Sequence, residues 1–188
     1  MAKGDKSHHQ RAPEHWDDVF EKQFSEESDR ACVILAAALL DTALETLLKA
    51  KLVHSSASED PLFEGANAPL GSFSSRIEMS YRVGIIDAGF ARALHLVRRI
   101  RNDFAHNVTG CTFLDSAVMG RLTELRRATG LPAGELTIRK SYSDGPRGDF
   151  QMIVSWMQWM LRSTIEDTES IEGFEIGIMF EPPIKRGD

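Results

Sequence analysis

The stretch DRACVILAAALLDTALETLLKAKL, Asp29 to Leu52, decides the fold. Ala31, Ile34, Leu35, Ala38, Leu39, Ala43, Leu47 and Leu48 recur there at helical spacing, in residue types that favour a helix. Apolar residues occupy more than one face of this helix. A helix patterned that way is covered by neighbours on several sides, so it is expected at the centre of an all-α bundle, with its apolar stripe serving as core.

Outward from this segment the pattern stays helical. Trp16, Val19, Phe20 and Phe24 predict a short amphipathic helix from Glu14 to Phe24. His54 to Ala68, prolonged by Pro69 to Ser72, reads as a connection rich in Ser, Glu, Pro and Gly. Ser75 with Glu78 matches a capping box ahead of a helix from Arg76 to about Val83, stopped near Gly84. Another helix is expected from about Phe90 to Asn107. Thr112 with Asp115 repeats the capping pattern before a helix ending near Gly130. Asp149 is placed to cap a last helix, Phe150 to about Asp167. Phe150, Ile153, Val154, Met157 and Leu161 form one face of it, while Trp156, Trp159 and Met160 fall on others. Those three are read as core, with a homodimer surface as the alternative.

The expectation is thus a single-domain all-α bundle of about six helices. Glu135 to Tyr142 and Phe174 to Phe180 have strand-like composition and add a small C-terminal β-hairpin or strand pair as an option. Residues 1–13 read as a flexible tail, 14–170 as the helical domain and 171–188 as a C-terminal extension.

The 188 residues are 42% hydrophobic and 27% charged, a globular balance with enough chain for a real core. The polar start MAKGDKSHHQ is read as carrying no secretory signal, and no apolar stretch is expected to approach the ~18 residues of a membrane span. A cytoplasmic protein without a membrane partner is therefore expected. Cys32 and Cys111 suit neither a disulfide framework nor a zinc set. No dinucleotide or phosphate-loop fingerprint occurs, so neither metal nor cofactor is expected. His8, His9 and His15 lack a cluster at ligand spacing, and Ser72, Ser74 and Ser75 lack a His/Asp relay.

A net charge of −6 argues against non-specific coating of nucleic acid. The charge is uneven, however. Arg92 to Arg101 holds four arginines and no acid, which leaves room for a local basic site. No helix-turn-helix is recognisable.

That basic segment carries the one chemical constellation in the chain, LHLVRRIRNDFAHN, Leu94 to Asn107. On a helix, Leu94, Val97, Arg101, Phe104 and Val108 share a stripe. A guanidinium set among apolar residues needs a partner, and Asp41 on the central helix is the candidate. His95, Arg98, Asn102 and His106 form a second stripe suited to an anion or phosphate, with Arg98 and Arg99 as donors. The two histidines lie about 16 Å apart along the axis, too far to share a metal. His106 is also placed to cap the helix end. Arg99 and Asp103 read as an ordinary surface pair.

Three stretches together resemble the mannitol operon repressor family. They are Glu27-Ser28-Asp29-Arg30-Ala31, then Leu62-Phe63-Glu64-Gly65 with Pro69 to Ile77, and Ile100 to His106. The resemblance covers roughly Ser25 to Gly130. It implies an all-helical protein linked to repression, acting without a recognisable DNA-binding motif through a protein partner or DNA. Arg30, Glu64 and Arg76 fall within these stretches as supporting residues, beside Asp41.

Arg101-Asn102 followed by His106 is also similar to the signature of the HEPN superfamily, many of whose members are helical, metal-independent ribonucleases. That similarity implies an RNA partner. His106 would act on the 2′-hydroxyl or leaving group, Arg101 would steady the phosphate and Asn102 would orient the pair. The leading expectation is a transcription regulator. The alternatives are a HEPN-like ribonuclease or RNA-binding domain and a purely structural adaptor.

Overall fold

The computed structural model describes Phe24 and residues 27–107, 110–130, 142 and 144–173. Five helices run through them: α1 Asp29–Lys51, α2 Phe73–Arg82, α3 Ala88–His106, α4 Ser116–Thr129 and α5 Pro146–Glu166. Five of the six expected helices therefore form. The N-terminal one lies outside the described residues apart from Phe24, which is fully buried. The two strand-like segments lie outside them too, apart from Tyr142.

Helix α1 is the central element. Ser28 caps it, its Oγ accepting from the Ala31 amide at 3.2 Å. Asp29 in the first turn and Lys49 and Lys51 in the last complement the helix dipole. Cys32, Val33, Ala36, Ala37, Leu40, Ala43, Leu44, Leu47 and Leu48 are buried and face α2, α3 and α5. By length and composition α1 also suffices to cross a membrane, with a mean hydropathy of 1.9 over 18 residues. The expectation that no segment reaches spanning length is corrected on that point, because Asp41 and Glu45 interrupt the run without lowering its mean enough. Half of that window is buried inside the bundle.

Polar clamps set the helix directions. Arg147, at the start of α5, donates to Asp29 Oδ1 at 2.9 Å and to the Phe24 carbonyl at 3.0 Å. At the far end, the Ile171 amide donates to the Lys51 carbonyl at 2.8 Å, so α1 and α5 run parallel. Arg30 donates to the Asn107 carbonyl at the end of α3, so α3 runs antiparallel to α1. A column of rings, Phe104 on Phe113 and Phe113 on Phe150, each 5.3 Å between centroids, joins α3 to α5.

Three helix starts differ from expectation. Ser72, not Ser75, is the N-cap of α2: Ser72 Oγ accepts from the Ser75 amide at 3.1 Å and Ser75 Oγ accepts from the Ser72 amide at 3.3 Å. The box therefore closes one turn earlier than the Ser75–Glu78 pairing, and Glu78 is freed for α3. Thr112 and Asp115 keep half of their box, the Thr112 amide donating to Asp115 at 3.0 Å, within the turn that precedes α4. Asp149 lies inside the first turn of α5, whose N-cap is Gly145, and it accepts from Arg126 of α4 at 3.1 Å. At the other end of α4, Gly130 takes the left-handed conformation of a C-cap, φ 64°, where a glycine is cheapest. Trp156 packs onto the core against Phe90, with ring centroids 6.3 Å apart, whereas Trp159 is 60% exposed.

Candidate functional site

Helix α3 carries the site. Asp87 caps it, accepting from the Phe90 amide at 2.7 Å. Ala93, Leu94, Val97, Ile100 and Phe104 are fully buried and set its inward face. With about 100° between successive residues, Arg101, Arg98 and Asn102 sweep outward along one flank of that face. His95, Arg99 and Arg92 emerge along the other. The row of polar residues is thereby divided between two grooves.

The first groove has a volume of about 510 Å³ and lies between α1, the start of α2 and α3. Arg98, Arg101 and Asn102 form one wall, and Gly71, Ser72, Phe73 and Ser74 form another. Ile34, Ala37, Ala38 and Asp41 of α1 complete it. Arg101 donates to Asn102 Oδ1 at 3.1 Å and is otherwise exposed. The Nε of Arg98 is buried and has no hydrogen-bond partner among the described residues.

The second groove, about 440 Å³, holds Glu78, Tyr81, Arg92, His95, Arg99 and Glu124. Here His95 Nε2 meets Glu78 Oε1 at 3.0 Å and Arg92 meets Glu124 at 3.2 Å. Its charges are largely matched across the helix–helix contacts.

Several expected pairings are redrawn. Arg101 is not buried on the apolar stripe and does not pair with Asp41. Its backbone sits at the edge of the buried face, and its long side chain carries the charge outward. Asp41 pairs instead with Arg76, whose side chain is only 11% exposed. Arg76 Nη1 lies 2.7 Å from Asp41, Nη2 lies 2.7 Å from Glu45 one turn on, and Nε donates to the Leu70 carbonyl at 2.9 Å. This clamp fixes the start of α2 on α1 and so shapes the first groove.

Arg99 does not hold Asp103, which is taken by Arg121 of α4. The anion-binding stripe of His95, Arg98, Asn102 and His106 does not converge, since His95 belongs to the second groove. His106 is exposed in the last turn of α3 and lines neither groove. It lies five residues after Arg101, about 140° round the helix. Arg30 ties α1 to the end of α3, and Glu64 lies 3.7 Å from Lys49. Both serve the framework.

Sequence reading missed the Ser72–Ser74 wall and the roles of Arg121 and Arg147. The Ser72/Ser75 spacing was a usable signal for the first, because a Ser three residues after a Ser cap can answer it reciprocally. Among the described residues, no three His, Cys, Asp or Glu side chains are grouped so as to hold a metal ion.

No protein-family model and no curated protein matches the sequence. Among solved structures, the X-ray structure of the MtlR–HPr complex from Escherichia coli is similar, with 22% sequence identity and a TM-score of 0.48. The match covers 79% of this chain and 90% of that chain, a likeness too slight to assign a function.

Proposed function

We propose that this protein is a transcription regulator that works by binding, through contact with a protein partner or DNA, and not by catalysis. The sequence resemblance to mannitol operon repressors supplies the regulatory role. The observation that carries the binding reading is the composition of the first groove. Arg98, Arg101 and Asn102 are donors suited to hold and orient a bound group, while His106, the acid/base of the motif, stands outside. Of the two hydroxyls lining the groove, Ser72 and Ser74, that of Ser72 is committed to its cap. A group that must move a proton has to lie within hydrogen-bond reach of the reacting atom, and the one carboxylate lining the groove, Asp41, is held by Arg76 at 2.7 Å.

The test is a transcript profile of a deletion strain complemented with wild type or with Arg98→Ala/Arg101→Ala. A set of transcripts restored by wild type and not by the double variant supports the reading. An unchanged profile overturns it. RNA cleavage in EDTA that disappears in a normally melting His106→Ala variant also overturns it, in favour of a ribonuclease.

A further inference from the structure

We infer that the groove between α1, the start of α2 and α3 binds the oxyanion of a small molecule, a phosphate or carboxylate group held by Arg98 and Arg101. Arg98 makes no hydrogen bond or ion pair with any described residue, and its Nε is sealed from solvent without an acceptor. A buried guanidinium donor without an acceptor carries a desolvation cost that a bound anion would relieve. Arg101 spends one donor on the neutral Asn102 amide oxygen and has no carboxylate partner among the described residues. The one carboxylate lining the groove, Asp41, is engaged by Arg76 at 2.7 Å.

The opposite wall adds donors of the same sense. Gly71 to Ser74 bring the first turn of α2 into the groove, and that turn contains no acid. Ser72 Oγ satisfies the Ser75 amide, while the Phe73 and Ser74 amides have no acceptor among the described residues. Two guanidinium groups face a helix start across one cavity, which is the donor set that binds phosphate or carboxylate oxygens in two-pronged fashion. The volume of about 510 Å³ falls in the range of small-molecule sites. Ile34, Ala37 and Ala38 offer an apolar floor for the rest of the ligand. Binding here does not depend on the regulatory reading. Only a role for the ligand as an effector does.

The test is calorimetric titration of the full chain with inorganic phosphate, and separately with malonate, at about 50 mM salt. Saturable one-site binding is expected, weakened about tenfold or more by Arg98→Gln and by Arg101→Gln, which is the loss of a charge-assisted hydrogen bond. Arg99→Gln, in the other groove, is expected to bind as wild type, and melting curves confirm that all three variants fold. Tighter phosphate points to an organic phosphate and tighter malonate to a carboxylate ligand; either supports the inference. No saturable binding of either anion, or equal affinity in the Arg98 and Arg101 variants, overturns it. So does binding confined to a single-stranded RNA, which would assign the groove to nucleic acid. None of these outcomes requires a transcription readout, so failure of the site and failure of the regulatory reading are separable.

Discussion

Replacing Arg76 with Gln tests the clamp on which the groove is built. The guanidinium makes three polar contacts from a side chain only 11% exposed, to Asp41, Glu45 and the Leu70 carbonyl. Removing one member of a buried ion pair costs ~3–5 kcal/mol, because the charge left behind stays desolvated. Here the carboxylates keep 28% and 26% exposure, and Glu45 retains Lys49 at 2.7 Å. Water and Lys49 recover part of the loss, which brings the expected cost to about 2–3 kcal/mol. For a chain of this size each kcal/mol moves the melting midpoint by ~2–4 °C, so a drop of about 4–12 °C is expected. Thermal melting followed by circular dichroism at pH 7 reads it. Arg76→Lys, which keeps one charge but not the planar fork, should fall between the two. A Gln variant melting within about 1 °C of wild type would refute the reasoning, since the contacts would then be no better than surface pairs. The same variant should also weaken phosphate binding, because Ser72 to Ser74 lose their anchor on α1.

Three further outcomes follow from the core and its thiols. Phe104→Ala empties one end of the Phe104–Phe113–Phe150 column and should cost about 3–5 kcal/mol in urea unfolding; a loss below ~1 kcal/mol would mean that the rings are not packed as described. Burial pushes the Cys32 and Cys111 thiols from their ordinary 9.0 up to about 11, so both should label slowly with a thiol reagent at pH 8, the half-buried Cys111 ahead of Cys32. The folded thiols hold their protons at pH values where the unfolded ones have lost them. Stability should therefore be intact below about pH 9 and fall as pH rises toward 11, and rapid native labelling of both residues near neutrality would contradict this.

The helical frame was legible because it rests on periodicity and propensity, both of which are local. Asp29 to Leu52 forms almost to the residue, and the segment of mixed apolar faces proves to be the one enclosed by three others. The helix starts were less legible. Ser72 and Ser75 both precede a helical pattern and both have a polar residue three positions on, so spacing alone did not choose between two capping boxes. What decides is tertiary: Arg76 must sit four residues beyond the true cap to reach Asp41 and Glu45, and Leu70 must stay outside the helix to offer its carbonyl. Gly145 beat Asp149 for a similar reason, since Arg126 holds the Asp149 carboxylate from α4.

The site shows the same division between local and non-local information. Reading α3 as a wheel placed Arg101 on the apolar stripe because it lies seven residues from Leu94 and four from Val97, both fully buried. That geometry is right for Cβ and misleading for the charge. A residue at the edge of a buried face carries a guanidinium several bonds long, and hydration draws it outward unless a carboxylate waits inside. Asp41 was the candidate partner by sequence argument, but a second arginine on α2 competes for it and is held by two carboxylates and a carbonyl at once. Arg76 therefore has more to lose by leaving than Arg101 has to gain by entering. The arginine excluded from that competition is left to face the groove beside Arg98, so the clamp that stabilises the fold is also what leaves two cations without carboxylate partners in one cavity.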